Sequence, residues 1–133
     1  MTPFHLKIVT PDGLIYEGEA EQLSVRTVNG DVSILARHIN YVTPLGMGRA
    51  TVLANGQKRY AACIGGMLSV VNGEVTLVPT TFEWADQIDV DRADLAQKKA
   101  EDRLKASNTD TEVRLAQAKL HRALVRKSVA SYK

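Results

Sequence analysis

The stretch Glu83-Trp-Ala-Asp-Gln-Ile-Asp-Val-Asp-Arg-Ala93 divides this sequence into two kinds of pattern. Before it, apolar residues come in short alternating runs separated by glycine and proline, as strands do. After it they recur at three- and four-residue spacing, and no Gly or Pro occurs from Gln87 to Lys133. That is the period of an amphipathic helix. A boundary is expected here, with strands in residues 1–87 and helices in residues 88–133. The stretch also carries acids, an arginine and the only tryptophan, Trp84.

Upstream, Phe4, Leu6 and Ile8 alternate with His5, Lys7 and Val9, and Thr10-Pro-Asp-Gly13 supplies a turn. Further runs are Leu14–Tyr16, Leu23–Arg26, Val32–Leu35, Ala50–Leu53, Tyr60–Ile64, Met67–Val71 and Val75–Val78. Three Asn-Gly pairs, at Asn29, Asn55 and Asn72, fall between such runs, and Asn-Gly is the strongest short hairpin signal. Short strands at roughly ten-residue spacing indicate an all-β sandwich or barrel. The glycines and polar residues from Gly30 to Pro44 read as a long, partly apolar loop region suited to contact with a partner. Glu17, Glu19 and Glu21 alternate and are expected on one solvated face of an exposed strand.

Downstream, Asp89 or Asp91 is placed to cap a first helix on which Ala93, Ala96, Ala100 and Leu104 form a narrow apolar face. Lys105-Ala-Ser-Asn108 interrupts the period, and Thr109-Asp-Thr-Glu112 has the spacing of a capping box. Val113, Ala116, Leu120, Ala123 and Leu124 form the apolar face of a second helix. So short a break predicts an antiparallel helix hairpin. The fold class is therefore α+β, an N-terminal antiparallel β-sandwich followed by a C-terminal antiparallel two-helix hairpin. The seam is mostly alanine and buries little, so the hairpin is expected to be marginal alone and open to more than one arrangement.

The totals are those of a globular chain: 133 residues, 44% hydrophobic, 24% charged and only 5% aromatic, so the core rests on Val, Leu, Ile and Ala. A single cysteine, Cys63, sits in the apolar run Tyr60–Ile64, which allows no internal disulfide and points to core packing. No apolar run reaches the ~18 residues of a membrane span, and Met1–Lys7 lacks the pattern of a secretory signal, so a soluble chain is expected. Charge is uneven. Residues 112–133 hold six basic side chains against one acidic, a local excess of five, whereas residues 1–88 hold six against eight. An acidic partner is expected for the C-terminal segment.

Arg92, Lys99 and Arg103 line up beside the alanine face of the first helix, and Lys119, Arg122 and Arg126 beside that of the second. Meeting of the two faces brings these stripes together along one edge, where anions would relieve the repulsion. Asp89 is placed to accept from an adenine amino group or from Arg92, and Arg122 and Arg126 offer planar forks for phosphate. The plainer reading is two solvated helix faces whose Arg and Lys stems shield alanine. No Walker loop, Gly-x-Ser-x-Gly elbow or zinc-ligand spacing occurs, and His5, His38 and His121 are scattered. No catalytic constellation is visible.

Taken together, the sandwich pattern, the boundary Ile88-Asp-Val-Asp-Arg-Ala93 and the Ala/Arg-rich hairpin resemble the epsilon subunit of bacterial F-type ATP synthase over the whole chain. Ile8-Val-Thr-Pro-Asp-Gly13 and the run from Gly30 to Leu45, with Ile34, Leu35, His38 and Leu45 at the family's positions, belong to the same resemblance. It implies a non-catalytic central-stalk rotor subunit, peripheral at the cytoplasmic face of the membrane. The sandwich would bind the gamma subunit and rest on the c-subunit ring, with Asp31 and His38 near the ring. The hairpin would fold down on the sandwich or extend along gamma towards the alpha/beta catalytic head. There it blocks ATP hydrolysis, with Lys119, Arg122, Arg126 and Lys127 as the inhibitory basic face. The resemblance implies no obligatory cofactor and no metal. It does imply ATP as a regulatory ligand that holds the folded-down form through Glu83, Ile88, Asp89, Arg92, Ala93, Lys99, Arg122 and Arg126. Lys99 departs from the ATP-binding members, which often carry arginine there, and substitutes a point charge for a planar fork.

A different class of function, a β-barrel nucleic-acid-binding module with a basic helical tail, meets two obstacles. Few aromatics are available for base stacking, and the strand half is net acidic. A small hydrolase lacks any nucleophile and base.

Overall fold

The computed structural model describes residues 2–132. They divide into two units, with the boundary in the chain between Trp84 and Ala85. The first contains ten strands: β1 Phe4–Thr10, β2 Gly13–Ala20, β3 Gln22–Thr27, β4 Gly30–Ile34, β5 Tyr41–Pro44, β6 Met47–Ala54, β7 Gln57–Ile64, β8 Met67–Val71, β9 Glu74–Val78 and β10 Thr81–Trp84. They make two five-stranded sheets, ordered β2-β1-β9-β8-β5 and β10-β7-β6-β3-β4. Between the sheets lie Leu6, Ile8, Leu23, Val25, Ile34, Val52, Leu68, Val70 and Leu77, all buried in one cluster. The alternation along each strand causes this, because every second side chain of a pleated strand points to the same face. Pairing is antiparallel throughout except for β1 beside β9, which run parallel in the register His5↔Glu74 to Ile8↔Leu77.

The three Asn-Gly pairs close hairpins in two ways. Asn55 and Gly56 have φ of 54° and 74°, and Asn72 and Gly73 have 51° and 81°. Both pairs lie in the left-handed region that a two-residue type I′ turn requires, between Ala54↔Gln57 and Val71↔Glu74. Asn29-Gly30 differs. There Thr27 pairs with Gly30, and the Thr27 hydroxyl accepts from the Asn29 N–H at 3.1 Å and donates to the Gly30 carbonyl at 2.7 Å. Thr10 does the same for Asp12 and Gly13, at 3.2 and 3.4 Å. The two turns are one device, with Gly13 and Gly30 at φ of 125° and 113°. Gly66 is fixed more tightly: at φ 96° a Cβ would run into the Val78 carbonyl oxygen.

Two expectations about this unit are corrected. The region from Gly30 to Pro44 is not one long loop, because β4 and β5 occupy its ends and leave only residues 35–40 as the connection. The three glutamates do not share one strand face. Glu17 and Glu19 lie on the edge strand β2, whereas Glu21 sits between β2 and β3, which belong to different sheets, and accepts from the Gly56 N–H at 3.3 Å. Cys63 is buried in the core, and burial pushes its thiol pKa up to about 12.

The second unit is a 3₁₀ turn, Ala85–Gln87, followed by α1 Val90–Lys105 and α2 Asp110–Ala130, packed on each other. Their buried residues are mostly small: Ala93 and Ala100 on α1, and Ala116, Ala123, Val129 and Ala130 on α2. Leu124, expected on this face, is 44% exposed, for it follows Ala123 and so lies about 100° further round the helix. The capping box also departs from its usual form. The Thr109 hydroxyl accepts from the Glu112 N–H at 3.1 Å, but Glu112 accepts in return from Asn108 at 2.8 Å, one residue earlier than Thr109.

Candidate functional site

The expected nucleotide residues fall on both units. Glu83 is half-buried on β10, opposite Ala62 of β7. Its neighbour Trp84 is buried in the sandwich core, edge-on to Phe82 at 4.9 Å between ring centres and with the Arg59 guanidinium 3.7 Å over its ring. The remainder belong to the helical unit. Asp89 is the N-cap of α1, in extended conformation, and its carboxylate accepts from the Arg92 backbone N–H at 3.1 Å. Ile88 and Ala93 flank that cap at the two positions of a hydrophobic staple, and both are buried. The run Ile88-Asp-Val-Asp-Arg-Ala93 is therefore a complete helix start. It leaves the Arg92 side chain exposed in the first turn, beside the positive end of the helix dipole.

On α1, Lys99 is exposed. On α2, Lys119 and Arg122 are exposed and Arg126 is half-buried, so the three follow one stripe at spacings of three and four residues. Arg103 and Lys119 line one cleft of about 270 Å³ beside the interhelical turn, walled by Leu115 and Ala116. Of the two basic stripes, Arg103 and Lys119 are the members that share this cleft. Lys127 lies off the stripe. Its ammonium is 2.9 Å from an Asp94 carboxylate oxygen and donates to the Gln97 amide oxygen at 2.8 Å, both on α1. Neither Asp94 nor Gln97 stands out in the sequence; the spacing of three between them is the one signal available in advance.

Asp31 and His38 lie in the sandwich unit. Asp31 is exposed on β4 and forms an ion pair with Arg26 at 2.8 Å across the β3–β4 register. His38 is half-buried. Its Nδ1 lies 2.8 Å from the Ile39 carbonyl, its ring is 5.9 Å from that of Tyr41, and its N–H donates to the Leu35 carbonyl at 3.3 Å. These contacts tie the 35–40 connection to itself, with Arg37 left-handed at φ 64°. The side chains presented outward are Leu35, Arg37 and Ile39, the last 77% exposed. On the outer face of the sheet that β5 edges, Val42, Met67 and Val78 are also exposed, in the rows Val42↔Ser69 and Met67↔Val78. Among the described residues no three His, Cys, Asp or Glu side chains converge as metal ligands, and no helix is long and apolar enough to cross a membrane.

The chain is thus a β-sandwich joined to an alanine-seamed helix pair, with apolar and basic side chains exposed. Residues 3–85 match the ATP synthase, Delta/Epsilon chain, beta-sandwich domain, and residues 86–131 match the ATP synthase, Delta/Epsilon chain, long alpha-helix domain. The chain is 42% identical to the ATP synthase epsilon chain of Bacillus velezensis, over 98% of each chain. It is 39% identical to that of Ruminococcus albus, over the full length of both. The chain belongs to the family of ATP synthase epsilon chains. Its fold is that of a chain in the cryo-EM structure of the Euglena gracilis mitochondrial ATP synthase, with a TM-score of 0.84 at 20% identity, covering 100% of this chain and 83% of that one. A chain of the Tetrahymena thermophila mitochondrial ATP synthase central stalk and c-ring gives a TM-score of 0.72 at 11% identity, covering 95% of each.

Proposed function

We propose that this chain is a non-catalytic rotor subunit of an F-type ATP synthase, peripheral to the membrane at its cytoplasmic face. The sandwich docks on gamma and on the c-subunit ring, and the helix pair restrains ATP hydrolysis. The observation that carries this reading is the full-length similarity to ATP synthase epsilon chains, taken with a separate helical unit whose second helix is strongly basic. The exposed apolar side chains Val42, Met67 and Val78 on one sheet face give the sandwich a surface suited to burial against gamma. Asp31 and the 35–40 connection supply polar and apolar contacts for the ring. Lys119, Arg122 and Arg126 meet acidic segments of the alpha/beta head when the helices extend.

ATP is the proposed regulatory ligand of the helical unit. The donors fit a triphosphate: Arg122 and Arg126 lie one turn apart, and Arg92 stands at a helix N-terminus that favours anions. Asp89 already serves the Arg92 N–H through one oxygen, which leaves the other to accept from an adenine amino group. Lys99 adds charge without a fork. The ligand shifts the helix equilibrium only by its preference for one arrangement, so modest affinity makes a modest switch.

Two measurements test this. A chain ending at Ile88 is expected to fold, to bind gamma and to raise ATP hydrolysis by the assembled enzyme; failure to bind gamma overturns the assignment. Calorimetric titration of the intact chain with ATP and ADP, beside an Arg122→Ala/Arg126→Ala variant, tests the ligand. Saturable ATP binding lost in the variant is expected, and absence of binding removes ATP while leaving the rotor role. Calorimetry is preferred to tryptophan emission because Trp84 is held by Phe82 and Arg59 within the sandwich.

A further inference from the structure

Lys127 occupies an unusual position among the basic side chains of α2. It stands in the last turn of that helix and reaches across to Asp94 and Gln97, in the first half of α1. Asp94 and Gln97 are three residues apart and so share a face, which lets one ammonium meet both. Lys127 lies in the last turn of α2, near its negative end, so its charge is favoured by its own helix as well as by Asp94. The far ends of the helices are joined by the turn at 106–109, and the seam between is alanine. The contact thus lies at the open end of a hairpin whose other end is tethered, where opening about the turn separates the helices most.

We propose that Asp94, Gln97 and Lys127 form a latch that holds the helix pair closed and withholds Lys127 from other partners. Release frees one ammonium, and the partner that competes for it is a carboxylate-bearing protein segment, since it must replace Asp94. The latch stands on the geometry alone; its effect on hydrolysis rests on the regulatory reading above. The side chains of Lys127 and Asp94 are 37% and 51% exposed, so solvent and salt screen the contact. Its loss is expected to favour opening by up to about five-fold.

The test is amide hydrogen exchange on the intact chain, comparing wild type with Asp94→Asn, Lys127→Gln, the double variant Asp94→Asn/Lys127→Gln and the charge reversal Asp94→Lys/Lys127→Asp. Each single variant should lower protection along α1 and α2 by up to about five-fold. Strand amides should not change, which verifies folding. The double variant should lose no more than Lys127→Gln alone, and the reversal should regain part of the loss relative to Asp94→Lys alone. Added salt should weaken protection in wild type but not in Asp94→Asn. Wild-type protection in the single variants, or additive losses in the double, overturns the latch. In the assembled enzyme, Asp94→Asn should deepen the restraint on hydrolysis. Released helices with unchanged hydrolysis would leave the latch standing and remove its regulatory role.

Discussion

Replacing Ala100 by leucine tests what holds the helix pair closed. Ala100 is 1% exposed, and Ala93, Ala116 and Ala123 are 3%, 2% and 1% exposed, so its methyl group is closed off from solvent in the seam. Leucine adds three carbons to this seam. Overpacking of this kind costs about 1–3 kcal/mol, which is about a 5- to 150-fold shift towards the open pair. Ala100→Leu barely changes intrinsic helix propensity, since leucine ranks close behind alanine, so any loss comes from packing. Disturbing the seam is therefore expected to open the pair more than losing the Lys127 contact, whose half-exposed charges are worth ~1 kcal/mol at most. Amide exchange should show α1 and α2 losing protection together while the strands keep theirs. Leu95→Ala is the control, because Leu95 is 54% exposed on the same helix and its loss should stay within ~0.5 kcal/mol. If Ala100→Leu leaves helix protection within two-fold of wild type, the alanine contact is not what closes the pair.

Other changes reach different parts of the chain. Thr109→Ala removes the hydroxyl that accepts from Glu112 N–H and should cost about 1 kcal/mol, read as lower exchange protection in the first turns of α2. Gly66→Ala sets a methyl against the Val78 carbonyl at φ 96° and should destabilise the sandwich by at least ~2 kcal/mol in urea unfolding, leaving the helices little affected. Cys63 has its ionisation held up to about 12 in the folded chain against 9.0 for a free thiol, so between these values the unfolded state binds fewer protons and stability falls as pH rises. Below pH 9 a thiol reagent should label Cys63 only as fast as the sandwich opens, and rapid labelling of the native chain would show that the side chain is not buried.

Eight of the ten strands were legible because burial on one face leaves a period-2 record in the sequence, and Asn55-Gly56 and Asn72-Gly73 announce their own backbone geometry; β5 and β10, four residues each, are too short to leave one. The helix starts were equally plain: Asp89 and Thr109 are both N-caps, where a short oxygen side chain satisfies an otherwise unpaired N–H. The parallel pairing of β1 with β9 was not legible, since it joins residues some seventy apart and nothing in either run names the other. Trp84 read as part of a boundary, but its ring belongs to the sandwich core beside Phe82 and Arg59, contacts that only strand pairing creates. For the candidate site, the residue types and their grouping on helices were visible, while their availability was not. Asp31 is engaged by Arg26, and His38 by its own loop, through contacts set by register and turn geometry.

Arg126 and Lys127 show why a count of charges does not describe a surface. They are consecutive, so on a helix their side chains diverge by about 100°. Arg126 continues the stripe of Lys119 and Arg122, whereas Lys127 is carried round to face α1, where Asp94 and Gln97 meet it. Four of the six basic side chains in residues 112–133 are thus divided between a stripe of three outside the latch and one ammonium held against α1. An acidic partner that bound only the exposed side chains Lys119 and Arg122 would have no preference between closed and open helices and could not shift them. One that also captured Lys127 would gain that contact only after Asp94 had lost it, and would therefore favour the open pair. On this argument the sensitivity of the helices to an acidic partner lies in Lys127 more than in the total charge. Lys127→Gln should reduce a partner's power to open the pair by a larger factor than Lys119→Gln, although each removes one charge, and equal effects in exchange measurements with an acidic peptide would refute it.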